Sequence, residues 1–240
     1  MIQFFRRLRQ KTLAENKLSK YLLYAIGEII LVMIGILLAL QVNTWNELRI
    51  AKKTELVNMQ ELVNNLKQDI QDLRHNLKAD ASILNSFDVL LDHIKQSDKF
   101  HDSLAYHFGM ANRYTNFINS TSAYESLKSI GLNSIKDSEL RFQIIAYYER
   151  TSKVLLNVEG EFINTVENNF MKPLKIKYLD YDTKFGPAVP KDFEALLTEG
   201  NLKTVLVELK NDFEWKIGLT EDCHEKAQKL LTRINSKLKK

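Results

Sequence analysis

An acidic residue inside an apolar run is the first place in this sequence where chemistry could occur. Glu28 stands within YLLYAIGEIILVMIGILLALQV, residues 21–42, and a carboxyl about 10 Å inside a bilayer faces other helices, water or an ion path. Such a group can take part in proton or ion passage with a partner, as in single-span force-transducing subunits of ion-driven motors. It can also sit protonated against Tyr24 or a neighbouring helix and fix assembly. The second reading is preferred, because no other ionisable residue lies in the run. Gly35 with Ala39 gives a small-xxx-small spacing that permits close helix approach. Steps of seven back from Leu56 pass Arg49, Val42 and Gly35 and reach Glu28, which places Glu28 and Gly35 on one face if the helix is continuous. Gln41, Asn43, Trp45, Asn46 and Glu47 make a polar and aromatic cluster at the end of the run, suited to solvating the interface or docking a partner.

Other chemistry finds little support. His93, His101 and His107 do not share a helical face at i, i+4 spacing, and Asp98, His101 and Asp102 lack a fourth ligand, so no metal is expected. Asp180-Tyr181-Asp182 opens like a calcium loop without the residues that complete one and reads as a solvated turn. Cys223 and His224 are adjacent and diverge by about 100° on a helix, so they form no nucleophile dyad. There is no G-x-S-x-G, no phosphate-cradling glycine loop and no carboxylate pair in a recognisable cleft. Neither an enzyme nor a cofactor is expected. A formal charge of +4, with no basic run interleaved with aromatics, argues against nucleic acid as a partner.

The apolar run is itself an element. Its 22 residues make a helix of about 33 Å, enough to cross a bilayer. Thirteen are Leu, Ile or Val, whose summed insertion energies outweigh the roughly +2.5 to +3.5 kcal/mol assigned to an acid at mid-membrane. A cleaved signal peptide would have a shorter core and a small-residue site, and Ala39-Leu40-Gln41 is a poor one. Arg6, Arg7, Arg9, Lys11, Lys17 and Lys20 precede the run against Glu15 alone, whereas residues 43–62 balance three basic against three acidic side chains. The positive-inside rule then puts the N-terminus in the cytoplasm, and Phe4, Phe5 and Leu8 beside the arginines suit an inner-leaflet anchor. The expected layout is a basic flank over 1–20, a transmembrane helix over 21–42 and an extracytoplasmic domain over 43–240.

That domain reads as all-α. Eight Gly and three Pro in 240 residues leave few helix breakers. Leu56, Met59, Val63, Leu66, Ile70, Leu73, Leu77, Leu84, Phe87, Leu91 and Ile94 follow a heptad pattern broken only at Asp80. It predicts a long helix over about 46–96, continuous with the membrane helix. Short helices are expected over 103–131, where Ser120 or Thr121 can start one that Gly131 closes. A long helix follows over 138–172, capped by Asp137 or Ser138 and ended by Pro173, then a loop over 178–190. A last helix over 202–238, capped by Asn201, turns Leu202, Val205, Leu209, Phe213, Ile217, Ala227, Leu231, Ile234 and Leu238 inward. Together these predict an elongated helical bundle. A lone cysteine, Cys223, excludes an intramolecular disulfide framework.

The opening MIQFFRRLRQKTLAENKLSKYLLYAIGEIILVMIGILLALQVNTWNE resembles a family of uncharacterised membrane proteins common in Bacteroidota, and SAYESLKSIGLNSIKDSELRFQIIAYY is similar to a second block of it. The resemblance covers about the first fifty residues and 122 to 148. It implies a bacterial inner-membrane anchor with a periplasmic domain, and it carries no activity to transfer. Three roles are therefore expected: an interaction or scaffold protein joining a homo-oligomer or another envelope protein, an accessory subunit of an ion-driven complex using Glu28, or a periplasmic ligand sensor that signals through a partner.

Overall fold

The computed structural model describes residues 18–97, 99–165, 172–183 and 186–239. The fold is all-α apart from one small hairpin. Helix α1 is Leu18–Gln96, 79 residues, without a glycine or proline after Gly35 to interrupt it. The chain divides into two units, Met1–Glu55 and Leu56–Lys240.

In the first unit, α1 is the one described element. It is long and apolar enough to cross a membrane by length and composition. Its large side chains point outward unburied, with Leu23 at 76% and Leu31 at 67% exposure.

In the second unit, α1 is followed by α2 (Leu104–Met110), α3 (Ser122–Ile130), a 3-10 turn (Leu132–Ser134), α4 (Ser138–Ala146), a π-helical turn (Tyr147–Thr151) and α5 (Ser152–Thr165). Then come α6 (Lys172–Tyr178), a hairpin of β1 (Leu179–Tyr181) and β2 (Ala188–Pro190), α7 (Phe193–Thr198) and α8 (Leu202–Leu238). The end of α3 and the start of α4 follow from single residues. Thr121 precedes α3, and Gly131 at φ 103° ends it, a conformation open to glycine at little cost. Asp137 accepts the Leu140 N–H at 3.0 Å and caps α4. Asn201 stands at the start of α8 at φ 49° without a side-chain cap bond.

Three expectations need correction. The helix predicted over 138–172 is α4, a π turn and α5, with residues 166–171 outside the described set. Pro173 does not end it. It lies within the described helix α6, Lys172–Tyr178. The loop over 178–190 contains the hairpin, with Leu179 opposite Pro190 and Tyr181 opposite Ala188.

Of the heptad row of α1, Leu56, expected inward, is exposed, Ile70, Leu77, Leu84 and Ile94 are half-buried, and Met59, Val63, Leu66, Leu73, Phe87 and Leu91 are buried in two apolar cores. One gathers Met59, Leu62, Val63, Leu66 and Leu73 with Leu127 of α3, Leu140 and Ile144 of α4, Leu155 of α5, and Cys223, Ala227, Leu230 and Ile234 of α8. The other gathers Ile83, Phe87, Leu90 and Leu91 with Phe108 of α2, Phe162 of α5, Leu196 of α7, and Leu206, Leu209 and Phe213 of α8. Phe213 meets Phe87 and Phe162 edge-on at 5.3 and 4.9 Å between centroids, the arrangement aromatic quadrupoles favour.

Truncating these rows is expected to be costly. Leu66→Ala should destabilise the fold by about 2 to 5 kcal/mol, whereas Ile118→Ala, at a side chain 73% exposed, should stay within about 0.5 kcal/mol. Urea unfolding of the full chain in mild detergent reads both.

Candidate functional site

Between the two cores the same three helices turn polar at one level. On α1, Asn76 and Asp80 separate Leu73 from Ile83; on α5, Glu159 separates Leu155 from Phe162; on α8, Lys216 and Thr220 separate Phe213 from Cys223. All five polar side chains are buried. Lys216 is 1% exposed and Asp80 0%. Lys216 Nζ donates to Asp80 Oδ2 at 2.9 Å, to the Thr115 carbonyl at 2.9 Å and to Thr115 Oγ1 at 2.7 Å. Three donors therefore meet three acceptors. The Phe213 ring adds a cation-π contact at 5.7 Å. Glu159 Oε1 lies 3.8 Å from Nζ and makes no hydrogen bond.

These charges serve a stretch of backbone. Residues 112–121, between α2 and α3, form no helix or strand, yet Phe117 within them is 3% exposed. A buried peptide group must be paired, and helix side chains pair these. Asn65, Asp69, Asp72, Asn76 and Asp80 recur every three or four residues, one face of α1. Asn65 Nδ2 donates to the Ser120 carbonyl at 3.0 Å, and Asp69 Oδ1 accepts the Ser120 N–H at 2.7 Å. Asp72 accepts the Ile118 N–H at 2.9 Å, Asn76 donates to the Asn116 carbonyl at 2.9 Å, and Asp80 accepts the Thr115 hydroxyl at 2.9 Å. Opposite the row, Glu159 Oε2 accepts the Phe117 N–H at 2.8 Å. A helix face thus does what a neighbouring strand would do in a sheet.

Asp69 has further partners. Its Oδ2 accepts Asn119 Nδ2 and the Tyr147 hydroxyl, each at 2.8 Å. Burial pushes its carboxyl up from 3.8 to about 6 despite these bonds, because the charged form is poorly solvated there. Glu159 is raised by the same cause, with the Phe117 N–H and Lys216 opposing. The π turn lets Tyr147 and Tyr148, neighbours in sequence, both point inward. Ser152 Oγ shares its proton between the carbonyls of Tyr147 and Tyr148, at 3.0 and 3.1 Å. Tyr148 stacks on Tyr124 at 4.6 Å. Cys223 is fully buried, and burial pushes its thiol up to about 12, which keeps it a protonated, unreactive neighbour of Tyr147.

The residues singled out from sequence lie elsewhere. Glu28, Gly35 and Ala39 are exposed along α1, and a Cβ added at Gly35 would meet nothing within 4 Å. Of the interface cluster, Asn43 donates to Glu47 at 2.8 Å, Arg49 donates to Asn46 at 3.1 Å, and the Arg49 guanidinium lies 5.8 Å from the Trp45 ring centroid. Gln41 is exposed on the same helix. Arg6, Arg7, Arg9 and Lys11 fall outside the described residues, as does Asp98. Among the described residues, no three His, Cys, Asp or Glu side chains group to hold a metal. Ile217, expected inward on α8, is only half-buried, and Lys216 takes the core position.

Where α4 begins and α8 ends, Asp137 combines its cap with ion pairs to Lys237 at 2.6 Å and Arg233 at 3.7 Å. Lys237, first, and the Leu140 N–H hold its carboxyl down at about 2. A depressed carboxyl contributes stability above its unfolded value, 3.8, and loses it as pH falls through the folded one. Asp137→Asn should therefore lower the urea midpoint at pH 7, and the deficit should shrink below about pH 4.

Comparison with known proteins gives a family without an assigned activity. The model described as "Family of unknown function (DUF6090)" matches residues 28–181. The match takes in Glu28, the polar row of α1, the 112–121 segment and Glu159, and stops before Lys216. No curated protein and no solved structure matches the chain. Since the match spans well over half of its length, the chain belongs to the family of unknown function DUF6090.

Proposed function

We propose that this protein is a membrane-anchored interaction or scaffold protein of the bacterial envelope. Its N-terminus is cytoplasmic, its apolar helix crosses the inner membrane, and its helical domain stands in the periplasm, assembled with a second copy or with another envelope protein. The observation that carries this reading is the stretch from Leu22 to Ile50. Leu, Ile, Val and Met side chains there are exposed on nearly every side of the helix, and a helix apolar all round belongs in a membrane or a protein core. From Met59 onward the heptad row packs inside the chain, so it offers no seam for a homo-oligomeric coiled coil. Self-association then falls to the membrane stretch, where the Gly35 and Ala39 positions are open to a close helix.

A second reading uses Glu28. Its carboxyl borders a shallow groove with Ala25, Val32 and Ile36, a place where a partner helix would meet an ionisable group. In that case the protein is an accessory of an ion-driven complex, and Glu28→Gln abolishes its function while leaving assembly intact.

Single-cysteine labelling tests topology, because buried Cys223 leaves a quiet background. In intact cells with a permeable outer membrane, an impermeant maleimide should label Lys203→Cys and should reach Lys11→Cys only after lysis. The reverse pattern would overturn the orientation. The mass of the detergent-solubilised protein at native expression should exceed one chain, by a second copy or a stoichiometric partner. A lone monomer would remove the assembly role.

A further inference from the structure

We propose that residues 112–121 form a pH-responsive strap, latched along α1 while the buried carboxyls of Asp69 and Glu159 hold protons and loosened when these ionise. The loosened strap lifts Phe117 from its seat and opens the polar layer to water. The strap has no ladder and no helix of its own. Its backbone is fastened by side chains, at Asn65, Asp69, Asp72, Asn76, Glu159 and Lys216, so it can open without unravelling a helix. Segments fastened in that way occupy the low-stability end of a fold.

The charges around the strap do not balance. Lys216 spends its three N–H groups on Asp80 and Thr115. Facing Glu159 are Asp80 and Asp72 from α1, Lys216 from α8 and the Phe117 amide from the strap. Facing Asp69 are Tyr147 and Tyr148 from the π turn, Cys223 from α8 with Asp222 and Lys226 flanking the thiol, and Asn119 and Ser120 from the strap. Among the described residues no cation bonds Asp69, and the cation near Glu159 is one already neutralised by Asp80. Protonated Asp69 keeps its latch: one oxygen still accepts the Ser120 N–H, and the other donates to the Tyr147 hydroxyl oxygen, which can accept. Ionisation sends the proton to solvent and leaves a buried charge without a counter-ion.

The sign follows from the raised carboxyls. The latched state holds its proton up to about pH 6 at Asp69, against 3.8 when solvated. Latching is thus fully present below pH 4, weakens as pH rises through the window between, and levels off above about pH 7. Glu159 shifts in the same direction.

Backbone amide hydrogen exchange on the full chain in mild detergent, corrected for intrinsic exchange rates, tests this. Protection of peptides covering 112–121 should fall by about tenfold or more between pH 4.5 and pH 7, while peptides within α8 change by less than about twofold. Asp69→Asn should reduce the tenfold change to under about threefold. Equal protection at the two pH values, loosening on acidification, parallel loosening of α8, or an undiminished response in Asp69→Asn would each overturn the proposal. If Asp69→Asn does not fold, the wild-type profile and Glu159→Gln, which should also blunt the response, decide the matter.

Discussion

Backbone that forms neither helix nor strand and lies along a helix needs hydrogen-bond partners that no neighbouring strand supplies. The second unit is organised around that constraint. Residues 112–121 lie where a sheet edge would be required, and α1 provides a substitute in the row Asn65, Asp69, Asp72, Asn76 and Asp80. Glu159 and Lys216 complete it from α5 and α8. A buried ion pair adds little net stability relative to well-packed apolar side chains, but breaking one by removing a single partner is severe. The gain here is in register. A one-turn slip of α8 along α1 would carry Lys216 to the level of Asn76 or Ile83 and take its ammonium away from Asp80. Only one alignment of the three helices satisfies the layer.

With register fixed by polar groups, the apolar side chains on either side are free to pack densely. Each core draws on α1, α5 and α8, and the shorter helices close them, α3 and α4 on one and α2, α6 and α7 on the other. The interior of the second unit therefore accounts for its heptad row from Met59 to Leu91. The apolar surface of the first unit has no such account among the described residues. It is the feature that calls for a lipid or protein environment.

Much of this was legible in the sequence, for local reasons. Gly131 and Asp137 mark helix ends through backbone and capping chemistry that acts over three or four residues. The heptad row of α1 announced a buried face, and its single break at Asp80 marked the polar layer without naming its partner. Lys216 was missed because Phe213 is followed at three residues by Lys216 and at four by Ile217, and hydropathy favours Ile217. The track Leu209, Phe213, Lys216, Thr220, Cys223, Ala227, all buried, becomes visible once a charge is allowed in the core. The strap was illegible in principle. Its partners lie 35 to 101 positions away, and nothing within 112–121 says that side chains of α1 fasten its backbone. The π turn escaped for a similar reason, since Ser152 reads as an ordinary helical serine until its bonds to Tyr147 and Tyr148 are seen.

The most direct test of the polar layer as the organising constraint is a double-mutant cycle between Asp80 and Lys216, with Asp80→Leu, Lys216→Met and both together, read by urea unfolding of the full chain in mild detergent. Each single change leaves a buried charge behind and should cost about 3 to 5 kcal/mol. The double variant should be less destabilised than their sum by about 2 kcal/mol or more. Costs that add to within about 0.5 kcal/mol would show that the two residues do not depend on each other, and the layer would not be what aligns the helices.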